Sequence, residues 1–218
     1  MTGTGCSRRL GAGLRTSLAL VILGLVGVAP GPMAAQGTLP EGARVPFQGR
    51  WTTGCFKLGM YGRNGVIVRL HVSALGGLDA EAQMFASPGC DRPTMLARYV
   101  GQITRADDEG LVDLLVGRVS LSVSDAETLR LFNAEPELLG CGFGAEAPWQ
   151  LHELRDVSGR VCGGQAFPVA GSMLEDRFWI DEGGLRFGIL PLALQGGQRP
   201  EVPGQVRFYK TGLASAGD

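Results

Sequence analysis

Apolar and polar residues alternate with a period of two along most of the chain after residue 48, the spacing of strands that bury one face. In "GRWTTGCF" (49–56), Trp51, Thr53 and Cys55 share a face. In "VIVRLHVSA" (66–74), Val66, Val68, Leu70 and Val72 oppose Ile67, Arg69, His71 and Ser73. A Gly76-Gly77 turn leads to "LDAEAQMFA" (78–86), where Leu78, Ala80, Ala82 and Met84 oppose Asp79, Glu81 and Gln83. "MLARYVGQIT" (95–104) and "GLVDLLVGRVS" (110–120) read as two more strands around the polar turn "RADDEG". The period then changes. Ser124-x-x-Glu127 has the form of a capping box, and Ala126, Leu129 and Phe132 recur at helical spacing until Pro136 and Gly140-Cys141-Gly142. Strands resume with "WQLHELRDV" (149–157), a return to Cys162, "MLEDRFWID" (173–181), a turn at 181–184, "LRFGILPL" (185–192) and "QVRFYKT" (205–211). The pattern predicts a mainly β chain of about eight or nine antiparallel strands and one helix over 124–133, a closed or nearly closed barrel, with a sandwich as the competing architecture.

Composition sets the context. Residues 1–35 read as an export signal: Arg8, Arg9 and Arg15 precede the apolar run 17–29, and Met33-Ala34-Ala35 offers a small-residue cleavage site. The run is shorter than the roughly 18 residues expected of a spanning helix, so no permanent membrane span is expected. Residues 36–46 read as a flexible lead-in, 47–212 as the barrel domain and 213–218 as a tail. The leader carries three of the 20 basic residues and no acidic one, which leaves 17 basic against 21 acidic. The basic residues are dispersed, which argues against nucleic acid as a partner. Beyond the leader's Cys6 stand Cys55, Cys90, Cys141 and Cys162, an even count that reads as two disulfides in an exported, periplasmic or extracellular chain, with three connectivities open.

Catalytic chemistry is sparsely signalled. The chain has two histidines, His71 on a polar strand face and His152 beside Glu153, and no HExxH, P-loop or GxSxG motif stands out. No C-x-x-C pair supports a zinc site, and no cofactor is expected. Gly140-x-Gly142-x-Gly144 follows a helix instead of opening one, so its glycines serve the backbone around Cys141 and not a phosphate. Trp51 can plug the barrel floor with Arg207 stacked over it, and Gly49-x-Trp51 with a late Arg is also the lipocalin pattern. Ala80 and Ala82 fit an interior not wholly filled by side chains.

The landmarks "GRWTTGC", "CDRPT", "CGFGAEAPW", Cys162, "MLEDRFWIDEGGLRFGI" and "RFYK" resemble, in order and spacing, the adenomatosis polyposis coli down-regulated (APCDD) domain. The resemblance spans most of 47–212 and implies a lipocalin-like antiparallel barrel holding an acyl chain in an apolar pocket. In animals the domain occurs in tandem in a membrane-tethered Wnt inhibitor. Here one copy is read, with fewer cysteines and Phe56 where the animal domains tend to show Glu, and the Ala, Gly and Arg-rich composition looks bacterial.

On an up-and-down topology, Cys55 and Cys90 reach the same barrel end, and the helix delivers Cys141 toward the strand carrying Cys162. The expected pairs are therefore Cys55–Cys90 and Cys141–Cys162. Val68, Leu70, Met84, Val112 and Leu114 are expected to converge on one apolar cavity, with Trp149, Phe178 and Ile180 as its other wall. The leading expectation is a non-enzymatic exported barrel that binds a lipid acyl chain or another apolar small molecule. The alternatives are an envelope or extracellular protein-recognition module with a packed core and, more distantly, a hydrolase built on His152 and Glu153.

Overall fold

The computed structural model describes residues 44–59, 64–189 and 198–211. The proposed leader, most of the lead-in and the tail from 213 lie outside the described residues. The chain is mainly β: a closed eight-stranded antiparallel barrel, one helix and two disulfides. The strands are β1 (Gly49–Thr53), β2 (Phe56–Leu58), β3 (Asn64–Val72), β4 (Gly77–Phe85), β5 (Pro93–Ala106) and β6 (Leu111–Val123), followed by helix α1 (Ala126–Ala134). Three two-residue strands, β7 (Arg155–Asp156), β8 (Val161–Cys162) and β9 (Gln165–Ala166), lie in the crossover to β10 (Met173–Asp181), β11 (Gly184–Phe187) and β12 (Arg207–Lys210). Neighbours run β1-β12-β11-β10-β6-β5-β4-β3, and the β1–β3 pairing, Gly49↔Val72 to Thr52↔Arg69, closes the ring. β2 continues along β3 after a break at Gly54-Cys55, where the Thr53 hydroxyl accepts the Val68 amide in place of a ladder bond.

One end is plugged from within. Val45 and Phe47 are fully buried, so the lead-in read over 36–46 ends in core residues. The Phe47 ring packs on Phe178 (4.7 Å between centroids) and Phe187 (5.4 Å), and Phe187 on Phe208. Trp51 is buried, and its indole N–H donates to the Phe47 carbonyl at 2.9 Å. Its cationic neighbour is Lys210, directly opposite in register with Nζ 5.7 Å from the ring. Arg207, expected over Trp51, sits three residues away and pairs with Asp181 at 2.8 Å.

A bulge rephases β6. Val100 pairs with Arg118 but Gly101 with Val116, which leaves Gly117 unmatched. The buried set therefore runs Val112, Leu114, Val116 before the bulge and Val119, Leu121, Val123 after it, so both halves face the interior.

The crossover is a folded cap. The N-cap of α1 is Asp125, one residue after the expected Ser124, and its carboxylate accepts from the amides of Glu127 (3.0 Å) and Thr128 (3.1 Å). Below α1, Trp149 is buried between Phe132 and Phe143, both edge-on at 5.4 Å, and Arg155 and Arg160 lie over the Phe143 ring. The Asn133 amide group clamps the Trp149 backbone in both directions, donating to its carbonyl and accepting from its N–H. Gly140 is needed here, because a Cβ would stand 2.5 Å from the Phe132 carbonyl oxygen and 2.8 Å from the Pro136 Cα. The strand expected over 149–157 reduces to β7 and a single Val123↔Leu151 bridge, since Trp149 is committed to the cap and not to a sheet face.

The disulfides are Cys55–Cys90, with Cα atoms 6.0 Å apart, and Cys141–Cys162, at 4.2 Å. The first ties the β1–β2 break to the β4–β5 turn. The second ties the segment after α1 to the β8–β9 hairpin.

Candidate functional site

The end opposite the aromatic plug holds an apolar cavity of about 350 Å³. Its barrel wall comes from the last two inward-facing layers of the sheet. Val66, Met84 and Met95 are matched in register across β3, β4 and β5. Ala82, Ala97 and Leu121 are matched one step deeper across β4, β5 and β6. The cap closes the other side with Phe132, Leu139, Cys162, Gly163 and Phe167. The space follows from side-chain size: two facing alanines leave a gap where their neighbours carry Leu, Val or Met. Met84 and Met95 at the rim are unbranched and adapt to irregular shapes.

Below this layer the described inward-facing side chains pack against one another. Tyr99, Leu70, Val119, Leu114 and Val112 are all buried in one apolar cluster, which Val68, level with Ala82, joins from the layer above. The Tyr99 hydroxyl, one register step below Ala97, is buried with no hydrogen-bond partner among the described residues, and burial pushes its pKa well up.

Of the expected pocket residues, Met84 lines the cavity. Val68, Leu70, Val112, Leu114 and Phe178 face inward as expected but belong to the packed core. Trp149 holds the cap together from outside the cavity. Ile180 is 49% exposed: its strand register is inward, but it falls beyond the plug formed by Phe47, Phe178 and Phe187. Alternation missed the cap side, because Leu139, Gly163 and Phe167 sit in irregular chain without periodicity. Ala82 on β4 and Ala97 on β5 were the available signal, small residues on strand faces otherwise occupied by large ones.

A second hollow of about 400 Å³, of mixed apolar and polar lining, adjoins the cavity and shares Leu58, Val66, Met84 and Met95 with it. Its outer lining includes Asn64, Arg92, Thr94, Asp125, Glu127 and Thr128. Burial works to raise the Asp125 carboxyl, but hydrogen bonds from the Thr128 side chain and the Thr128 and Glu127 amides outweigh it and hold the carboxyl below its ordinary 3.8.

His71 and His152 are both exposed and far apart in the sequence, on the outer barrel face and in the cap. The backbone of His152 is left-handed (φ 62°), and its amide donates to the Val123 carbonyl. Glu153 is engaged by Arg155 at 3.1 Å. Among the described residues, no group of three or more His, Cys, Asp or Glu is arranged to hold a metal ion, and no helix is long and apolar enough to cross a membrane. Comparison with models of protein families gave no match, and comparison with curated proteins gave none either.

Proposed function

We propose that this protein is a non-enzymatic carrier or receptor that binds the acyl chain of a lipid, or an apolar small molecule of similar size, in the cavity between the barrel mouth and the cap. The observation that carries this reading is the apolar space of about 350 Å³ around Ala82 and Ala97, within the range of about 300–1,000 Å³ usual for small-ligand sites. Each methylene moved from water into such a space contributes about 0.8 kcal/mol, so a chain of eight or so carbons binds without strong polar contacts. The likeness of the Trp, Cys and Pro landmarks to the APCDD domain supports an acyl chain over other apolar ligands. The two disulfides support a working compartment that is oxidising, reached by export.

The test is titration of the oxidised protein with a fluorescent fatty acid. The reading expects saturable uptake near one per chain, abolished by Ala97→Trp with the circular dichroism spectrum retained. Absence of saturable uptake of any acyl probe by the folded protein overturns it.

A further inference from the structure

The apolar cavity and the second hollow adjoin each other, and Leu58, Val66, Met84 and Met95 line both. A chain in the one space and a head group in the other would meet at these four side chains. The two spaces differ in chemistry. The inner one is walled mainly by apolar side chains with Gln165 as its polar member, whereas the outer one adds Arg92, Asp125, Glu127, Asn64 and two threonines to an apolar part that includes Phe85, Ala86 and Leu131. Arg92 and Glu127 are exposed, and neither is held in an ion pair by another described residue. The Arg92 charge does lower the pKa of Asp125, which places cation and carboxylate within electrostatic reach of each other.

We propose, resting on the lipid-binding reading, that the natural ligand is a single-chain lipid with a zwitterionic head, of the lysophospholipid class. The inner volume of about 350 Å³ lies near the low end of small-ligand sites, which suits one chain and leaves no room for a second. The outer hollow offers both signs of charge: the Arg92 guanidinium takes a phosphate through paired N–H donors, and Glu127, with Asp125 behind it, takes an ammonium. A purely anionic head would meet one cation and two carboxylates. An uncharged head would leave all three groups to water. Thr94 on β5 and Thr128 on α1 add neutral hydroxyls on either side.

The experiment holds the chain constant and varies the head. Lauroyl lysophosphatidylethanolamine, lauroyl lysophosphatidylglycerol, dodecanoate and dodecanol are titrated below their micelle thresholds against a bound fluorescent acyl probe. The zwitterionic lipid is expected to bind tightest, by about two- to fivefold, the size of an exposed ion pair. Arg92→Gln should weaken both phospholipids by a similar factor and leave dodecanol unchanged. Glu127→Gln should weaken the ethanolamine lipid alone. Equal affinity for all four, tighter binding of the phosphatidylglycerol lipid, or an Arg92→Gln variant that loses dodecanol as well each overturns the head assignment while the acyl site stands. Binding of none of the four overturns the lipid reading itself.

Discussion

Ala97→Leu gives the cavity a test whose sign decides the question. Ala97 lies on β5 opposite Ala82 and Leu121, at the floor of the space under Phe132 and Phe167. Leucine adds three carbons at about 0.8 kcal/mol each, a gross gain of about 2.4 kcal/mol if all are buried. Loss of rotamer freedom removes about 0.5–1 kcal/mol of that. Ala97 is itself half-buried, so part of the new side chain remains near the mouth, and the net expectation is stabilisation of about 1 kcal/mol. If the space were closed, the same substitution would overpack the barrel and cost about 1–3 kcal/mol. The assay is equilibrium urea denaturation of the oxidised protein, read as the midpoint at unchanged slope. Destabilisation by more than about 1 kcal/mol refutes the reasoning, as does a stabilised variant that still takes up an acyl probe with wild-type affinity.

Three further outcomes follow from the same structure. Removing Cys141–Cys162 by paired serine substitution should cost about 3 kcal/mol and removing Cys55–Cys90 about 4, from the loop entropies of 21- and 35-residue separations, measured by chemical denaturation. Tyr99→Phe should raise stability by about 1 kcal/mol, because it deletes a buried hydroxyl that has no partner among the described residues and keeps the ring; a loss of more than about 1 kcal/mol argues that the hydroxyl is bonded. The lowered Asp125 pKa makes its cap a stabilising element that is complete above the ordinary carboxyl value near 3.8 and is lost as pH falls through the lower folded value. Asp125→Asn, which caps without titrating, should therefore match wild type within about 1 kcal/mol at neutral pH and lose less stability below pH 4, followed by thermal denaturation across pH.

The barrel was legible because period-two patterning and register reinforce each other. A one-residue slip of β3 against β4 would expose Val66, Val68, Leu70 and Val72 together, so the alternation alone dictates which face is inside. The disulfide pairing followed from the same logic, since up-and-down order carries Cys55 and Cys90 to one end. The cavity was less legible. Alternation separates inward from outward but says nothing of depth, so it groups Leu70 and Leu114 with Met84 although they lie in the packed layers below it. Ile180 shows the same blindness at the opposite end. Trp149 and Arg207 depended on irregular or three-dimensional features: the Asn133 clamp and a register that brings Lys210, not Arg207, opposite Trp51. The cap needed long-range closure, as its apolar residues lack any period until Cys141–Cys162 and the Trp149 cluster fix them.

The central claim, that an apolar chain lodges between the barrel mouth and the cap, is tested most directly by methionine methyl NMR during titration with a dodecyl lipid. Met84 and Met95 line the cavity, whereas Met173 is exposed near the start of β10. The Met84 and Met95 methyl signals are expected to shift saturably at one lipid per chain while Met173 stays in place. Signals of Met84 and Met95 that do not move at saturating lipid, or that move no more than Met173, contradict it.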